Sequence, residues 1–314
     1  MRWTSDLLYV AAKLYYEDHA TQAEVAAKLR TSRATVSRLL SEARRQGIVR
    51  IEVVAPTQRE SGDLAAVLTE ALGLTKVHLT APLPAGTPTT ALEDVMGSVL
   101  APAVGRALLG VGLHAGDVLL VASGRTIYEV SRFDLPSLPG VVVAPTVGGT
   151  DQPEAWYQTN EITRRIAEKV GGRPSYLFAP ALPGPELYRT LKADPAIQRV
   201  LNLWPHARAV LTGVGAPPVL RTDVPQFVDL TSSELVRAVG DVCSRFFDRE
   251  GRPVDFGDDR LIALELETLR SLPVVIAVAV GETKVAPLVV AARAGYFTEL
   301  VTDPGTAREI LARL

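Results

Sequence analysis

Cysteine occurs once in the 314 residues, at Cys243. That excludes an intrachain disulfide and a cysteine cluster for zinc. The four histidines, His19, His78, His114 and His206, are scattered and show no HxxxH spacing. A GxSxG elbow and a P-loop are both missing. The sequence therefore carries no catalytic constellation, and neither a cofactor nor a metal is expected. No apolar run reaches ~18 residues without a charge or a Pro/Gly interruption. The N-terminus lacks a basic stretch followed by an apolar run and a small-residue cleavage site. These absences predict a soluble, cytoplasmic protein that does not engage a membrane. Net charge is small as well: 33 Lys/Arg against 35 Asp/Glu leave −2, so a uniformly basic surface is excluded but a local basic patch is not.

Hydrophobic residues make up 47% of the chain and charged residues 22%, enough apolar content to bury sizeable cores. The length suits two domains. Charge divides unevenly between them: residues 1–54 hold nine Lys/Arg and six Asp/Glu, a balance of +3, which leaves −5 for the remainder. A nucleic-acid head on an acidic body fits that asymmetry.

Leu7, Leu8, Ala11, Leu14 and Tyr15 recur at helical spacing and predict a first helix over Ser5–Glu17. Thr21-Gln22-Ala23-Glu24 matches a capping box, so a second helix starts there, with Val25, Ala26 and Leu29 inward. After a polar break, Ser32 is a plausible N-cap for a third helix, which turns Val36, Leu39, Leu40 and Ala43 inward and ends before Gly47. Ile48–Val54 alternates like a short strand. Two short helices with a turn between Leu29 and Arg33 form a helix-turn-helix pattern, whose second helix would enter the major groove of double-stranded operator DNA. On that reading Arg33 or Arg38 pairs with guanine. Thr35 and Ser37 touch a base edge, a thymine methyl or a phosphate. Gln22 and the amides of its helix clamp phosphate. Arg44 and Arg45 contact backbone or simply form a solvated face. A three-helix bundle without nucleic acid is the alternative. The DNA-binding domain is set at residues 1–55, a linker at 56–62 on Pro56 and Gly62, and the body at 63–314.

The body alternates apolar runs with helical stretches. Strands are expected at Lys76–Thr80, Val118–Ala122, Val141–Pro145, Ser175–Ala179, Ala209–Val214, Val274–Val280 and Glu299–Thr302. Helices are expected at 63–73, Ala91–Leu109, Thr126–Phe133, Gln158–Lys169 and Lys284–Ala294. Several strands are apolar throughout, as in parallel sheets covered on both faces, and the order implies an α/β, Rossmann-like doubly wound sheet. Ligands in such sheets bind at the carboxyl ends of strands. Four strand ends carry short glycine turns. Ser123-Gly124-Arg125-Thr126 can cradle a phosphate, although Arg125 can equally point to solvent. Gly148 and Gly149 either open a site or make a tight turn. Gly213 follows a third strand. Gly281 ends a fourth, with Lys284 placed to meet a phosphate. Asp241 is either an acceptor for sugar hydroxyls or a loop cap, and Arg245 would add a cation. Cys243 reads as a small buried residue rather than a nucleophile.

Taken together, "TQAEVAAKLRTSRATVSRLLSEARRQGIVRIEV", "SGRTIYEV", "VAPTVGG", "LTGVG", "GDVCSRFFDREGRPV" and "VGETKVAPLVVAARAGYFTELVTDPGTA" resemble the SorC family of bacterial transcriptional regulators over nearly the whole chain. The resemblance implies a helix-turn-helix joined to an effector domain related to sugar-phosphate isomerases and deaminases. It further implies a repressor whose operator affinity is switched by a phosphorylated sugar. Carried onto this sequence, Gly124, Arg125 and Thr126 would sit at a phosphate, Gly148 and Gly149 would line the pocket, Gln158 and Asp241 would meet sugar hydroxyls, and Lys284 would close on a phosphate. Some relatives have a charged residue just before the glycine pair; here it is Val147. A homo-oligomer, dimer or tetramer, is expected because paired heads read two half-sites. The competing reading is a sugar-phosphate isomerase or deaminase with a DNA-binding head, using Asp241, Asp255 or Glu282 as general base.

Overall fold

The computed structural model describes residues 3–49, 58–83, 89–221, 228, 233–255 and 259–314. The chain divides into two compact units, Met1–Pro56 and Thr57–Leu314.

In the first unit, helices α1 (Ser5–Tyr16), α2 (Gln22–Lys28) and α3 (Arg33–Arg45) enclose a core that includes Leu8, Ala11, Val25, Val36, Leu39, Leu40 and Ala43. The capping box forms as its sequence requires. Thr21 Oγ1 accepts the Glu24 amide at 3.3 Å, and Glu24 accepts the Thr21 amide at 2.8 Å. Ser32 Oγ caps α3 through the Thr35 amide at 3.1 Å. Both α2 and α3 end in Schellman closures. Arg30 (φ 49°) and Gly47 (φ 72°) turn left-handed. The amide of Thr31 then bonds Ala26 O, and that of Ile48 bonds Ala43 O, each at 2.9 Å. Ile48 and Val49 thus belong to this closure rather than to a strand, and residues 50–54 of the expected strand lie outside the described residues.

The second unit opens with α4 (Gln58–Leu72), which begins inside the stretch expected as a linker. Leu64, Leu68 and Leu72 form a buried or partly buried stripe at i, i+4, i+8. A stripe of that kind outweighs the ~1 kcal/mol that Gly62 costs inside a helix. Strands β1 (Lys76–Leu79), β2 (Val118–Val121), β3 (Val142–Pro145), β4 (Arg173–Pro174) and β5 (Ala209–Gly213) follow. The hairpin strands β6 (Gly240–Val242) and β7 (Arg245–Phe247) precede β8 (Val274–Val278) and β9 (Glu299–Thr302). Seven of them form a sheet in the order β1-β9-β8-β5-β2-β3-β4, with every pairing parallel.

Alternate residues of each strand face opposite helical layers. Leu119, Val121, Val143, Leu211 and Ile276 meet α5 (Thr89–Val111), α6 (Arg125–Ser131) and α7 (Thr159–Val170). Leu120, Val210, Val275, Ala277 and Leu300 meet α4, α9 (Pro195–Leu201), α10 (Leu266–Ser271), α11 (Val285–Arg293) and α12 (Pro304–Ala312). Helix α8 (Pro185–Ala193) is more exposed and packs beside α9. The sheet is therefore doubly wound. From β2 the chain steps outward through β3 to β4, then restarts at β5 on the other side and proceeds through β8 to β9. The winding reverses between β2 and β5, the kind of position at which open α/β sheets bind ligands.

Ser175–Ala179 is not a strand. The named strand is only Arg173–Pro174: the amides of Arg173 and Ser175 bond Val141 O and Val143 O, each at 2.7 Å, and Pro174, whose missing amide would face away from β3, is tolerated at this sheet edge. Beyond it, the Asn160 side chain takes over the role of a neighbouring strand, accepting Leu177 N–H at 3.0 Å and donating to Leu177 O at 3.1 Å.

Candidate functional sites

On α3, the residues that face away from the core are Arg33, Ala34, Ser37, Arg38, Ser41, Arg44 and Arg45, all exposed, with Thr35 half-exposed. Their uses differ. The hydroxyls of Ser32 and Thr35 lie 2.9 Å apart and serve the cap. Arg45 forms a two-pronged pair with Glu42, one prong at 2.8 Å, and Arg44 leans on Ser41 Oγ at 3.4 Å. Among the described residues Arg33 and Arg38 make no hydrogen bond or ion pair, so two guanidinium groups stand unspent at the N-terminal half of the helix. Gln22 is half-exposed at the start of α2.

In the second unit, β2 runs into Ser123 and Gly124, and α6 starts at Arg125. A Cβ on Gly124 would meet nothing within 4 Å, so this glycine serves its backbone conformation, φ 117°. Its amide bonds Trp156 O at 2.8 Å, and the Arg125 guanidinium lies over the Trp156 ring, 4.2 Å from the centroid. This brings the turn Ala155–Tyr157 and Gln158 beside Arg125 and Thr126. Gln158 Nε2 donates to Gln152 O at 2.5 Å. Trp156 was missed by sequence reasoning, since nothing in its local pattern marks it as a platform. Across β5, Gly281 (φ 105°) ends the β8 connection, again with open space where a Cβ would be. Its amide is held by Thr306 Oγ1 at 2.8 Å, and the half-buried Lys284 follows one short turn later.

The other strand ends are closed by the protein itself. At β3, the Gly148 amide bonds Ile262 O at 2.9 Å and the Gly149 amide bonds Ala179 O at 2.8 Å. A Cβ on Gly148 would fall 2.7 Å from Ala179 O. This glycine pair permits a close crossing of backbones at the end of β3. Val147 is buried there and bridges to Ala263. At β5, Gly213 leads to Gly215, where a Cβ would sit 1.8 Å from Asp241 Oδ1. Asp241 is held in an ion pair with Arg221 at 2.7 Å, and its backbone bridges Gly215.

Arg245, the expected further cation, is engaged within the chain. It bonds the carbonyls of Leu261 (3.1 Å) and Ala263 (3.3 Å) and the Glu265 carboxylate (2.5 Å), bracing that segment against the hairpin. At the hairpin tip Cys243 (φ 52°) and Ser244 (φ 64°) both turn left-handed, the geometry of a two-residue type I′ turn. The Cys243 thiol is buried 3.6 Å from Thr212 Oγ1. Burial pushes its pKa up to about 11, against the opposing hydrogen bonds of Thr212 and Thr146. Burial of this kind disfavours the thiolate, the reactive form.

Two concavities have volumes of about 260 and 580 Å³, and neither is lined by Gly124, Arg125, Thr126, Gly281 or Lys284. The smaller sits between α8–α9 and the segment 261–268, lined by Tyr188, Lys192, Asn202 and Trp204 among others. No cluster of His, Cys, Asp and Glu among the described residues has the geometry to hold a metal. No helix among them is long and apolar enough to cross a membrane.

Residues 57–312 match the family described as "Putative sugar-binding domain". The chain is 30% identical over 307 residues to the deoxyribonucleoside regulator of Bacillus subtilis (strain 168), covering 96% of each. It is 28% identical to the sorbitol operon regulator of Klebsiella pneumoniae over 97% of each chain. The crystal structure of that full-length regulator, SorC, superposes with a TM-score of 0.75 at 27% identity, over 99% of this chain and 100% of the other.

The chain belongs to the SorC family of transcriptional regulators. Its relatives and structural neighbours are regulators, not enzymes, and of the candidate bases in this SorC-family chain Asp241 is held by Arg221 at 2.7 Å.

Two outcomes follow from the geometry of the strand ends. Gly148→Ala should destabilise the body by about 1–3 kcal/mol through overpacking, whereas Gly149→Ala, with its nearest neighbour 3.9 Å away, should cost much less; urea unfolding of the two variants checks this. Alkylation of Cys243 at pH 8 should be very slow in the native protein and become rapid only with denaturant, read by mass spectrometry of the intact chain.

Proposed function

We propose that this regulator binds operator DNA through α3 and represses a sugar or nucleoside operon until a phosphorylated sugar occupies the crevice at the carboxyl ends of β2, β5 and β8. The observation that carries the DNA half is the pair of uncommitted arginines, Arg33 and Arg38, on the exposed face of a helix whose neighbour Arg45 is already neutralised. Guanidinium groups of this kind pair with guanine edges or phosphate. Ser37 extends the same face, Gln22 and the α2 amides suit phosphate, and Arg44 and Arg45 contribute at most to the backbone contact.

The effector half is supported by the topological switch point and by the two cationic side chains beside it, Arg125 on its tryptophan platform and Lys284. Ser123, Gly124, Thr126 and Gln158 are the polar groups gathered around the first, and Gly213 and Gly281 keep the intervening strand ends low. The body, 63–314, is the effector and oligomerisation domain on this reading, and residues 1–55 are the DNA-binding domain. A cytoplasmic location follows from the function. The resemblance to regulators of deoxyribonucleoside and sorbitol operons supports a sugar-type ligand.

Such a ligand acts only by binding the operator-competent and operator-incompetent states unequally, typically with about 1–3 kcal/mol of coupling. Two measurements test the reading. Arg33→Ala or Arg38→Ala should weaken operator binding by about 1–3 kcal/mol and relax base selectivity at one position, read by fluorescence anisotropy at fixed salt; undiminished affinity and selectivity would remove α3 as the reader. In a thermal-shift screen of pentose and hexose phosphates, a ligand at a hundredfold excess over its Kd should stabilise the body by about 2.7 kcal/mol. Lys284→Ala and Thr126→Ala should each abolish most of that shift, and indifference to every sugar phosphate would end the effector assignment.

A further inference from the structure

We infer that Trp156 is a positioning residue of the effector site: its ring fixes the Arg125 guanidinium at the end of β2, and that fixed cation distinguishes a sugar bearing an anionic group from the same sugar without one. The inference rests on the proposed function for its ligand. The guanidinium carbon of Arg125 lies 4.2 Å from the centroid of the indole ring. Elsewhere Arg270, Arg165 and Lys192 lie over tyrosine rings at 4.8, 5.4 and 5.9 Å. The contact at Arg125 is shorter than these, and it is made to tryptophan, the ring that attracts a cation most strongly.

The ring is not placed to serve its own polar group. A buried tryptophan ordinarily spends its N–H on an acceptor, as Trp204 does on Pro145 O at 2.9 Å. The Nε1 of Trp156 is closed off from solvent and has no hydrogen-bond partner among the described residues. An unpaired buried donor is unfavourable, so other contacts keep the ring where it is. Its own backbone does this. Trp156 O accepts the Gly124 amide at 2.8 Å, the Tyr157 amide bonds Glu154 O at 3.0 Å, and the Gln158 amide bonds Ala155 O at 3.2 Å. Tyr157 is buried, and α7 begins two residues later at Thr159. The platform is thus fastened to the turn at Gly124 on one side and to a helix on the other.

An arginine side chain loses rotamer freedom when it grips a ligand. One already held over a ring has lost much of that freedom beforehand, so an anion that meets it binds at smaller cost. The ring attracts the cation through its quadrupole and, unlike a carboxylate, does not consume the N–H donors by accepting them. Arg125 is also half-buried, where charge is screened less than at an open surface. The gain goes to an anionic group and hardly at all to neutral hydroxyls. Trp156 acts through Arg125, so removing either side chain removes the same discrimination.

Calorimetric titration of the full-length chain with pentose and hexose phosphates, with the unphosphorylated sugars in competition and with inorganic phosphate, tests the inference. Trp156→Leu should weaken binding of the phosphorylated sugar by about tenfold and leave that of the bare sugar within about twofold. Trp156→Phe, which keeps a ring, should restore most of the loss. Arg125→Ala should cost at least about tenfold in the wild type but less than about threefold in the Trp156→Leu background. Ligand should also change the tryptophan emission of the wild type and not that of Trp156→Phe, although the latter still binds. Additive effects of the two substitutions, or equal losses for both sugars, overturn the inference. Should Trp156→Leu fail to fold, Arg125→Ala decides alone: it must lose both the ligand-dependent emission change and the preference for the phosphorylated sugar, and keeping either overturns the inference. If no sugar phosphate binds while inorganic phosphate shows the same non-additivity, the functional reading falls and this inference stands. If a sugar phosphate binds and shifts operator affinity while the substitutions are additive, this inference alone falls. Indifference to every ligand sinks both.

Discussion

Every strand of the sheet points the same way, and parallel neighbours can be joined only by a crossover. That constraint sends all the carboxyl ends to one rim and fills both faces with helices. The chain can therefore concentrate its irregular backbone in one place. It then closes most of that rim with its own atoms. Gly148 lets residues 179–181 cross above β3. The β6–β7 hairpin leans on β5 through Gly215 and Thr212. Asp303 caps α12 just beyond β9, accepting the Gly305 amide at 2.8 Å. The ends of β2 and β8 carry Arg125 and Lys284, on the two sides of β5.

The small unit obeys a different constraint. Three short helices bury few apolar residues, so their ends must be satisfied locally. The capping box at Thr21, the Ser32 cap and the two Schellman closures do this. One of those closures uses Arg30 where glycine is the easier residue. Side chains spent on caps and on the Glu42–Arg45 pair are unavailable to a partner. Subtracting them leaves Arg33, Ser37 and Arg38 as the chemically open face of α3.

The central strands were legible because a strand covered on both faces must be apolar at nearly every position. Leu119 and Leu120 face opposite layers and both are fully buried. At the edges that rule lapses: Arg173–Pro174 is exposed and short, and Ser175–Ala179 imitates a strand because Asn160 supplies the missing bonds. Helices α8, α9, α10 and α12 went unread. Three of them start with proline at the first turn, and the signal there was Asp194-Pro195 and Asp303-Pro304, a cap followed by a fixed φ. Glycine motifs were legible as positions but ambiguous as chemistry. A glycine answers either a need for left-handed backbone or a need for space. Gly124 and Gly281 are of the first kind, with nothing near their missing Cβ, whereas Gly148 and Gly215 are of the second, pressed against Ala179 and Asp241. Sequence spacing makes the two alike, and only the packed neighbours separate an open strand end from a closed one. Arg245 shows the same limit: its partners at 261–265 lie beyond any local pattern.

Regulation places a further demand on such a body. A ligand that made equal contacts in both states would change nothing, so part of what it touches must have an alternative partner within the protein. Arg221 and Asp241 meet that demand: each is mostly buried, each is satisfied by the other, and together they join the end of β5 to the Pro217–Leu220 turn. Removing one member of a half-buried pair leaves the other uncompensated, which is costly. Anything at the crevice that draws on Asp241 or displaces its hairpin therefore changes the energy of the turn, whereas a group bound at β3 would press on backbone already locked by four hydrogen bonds between residues 148–149, 179–181 and 262.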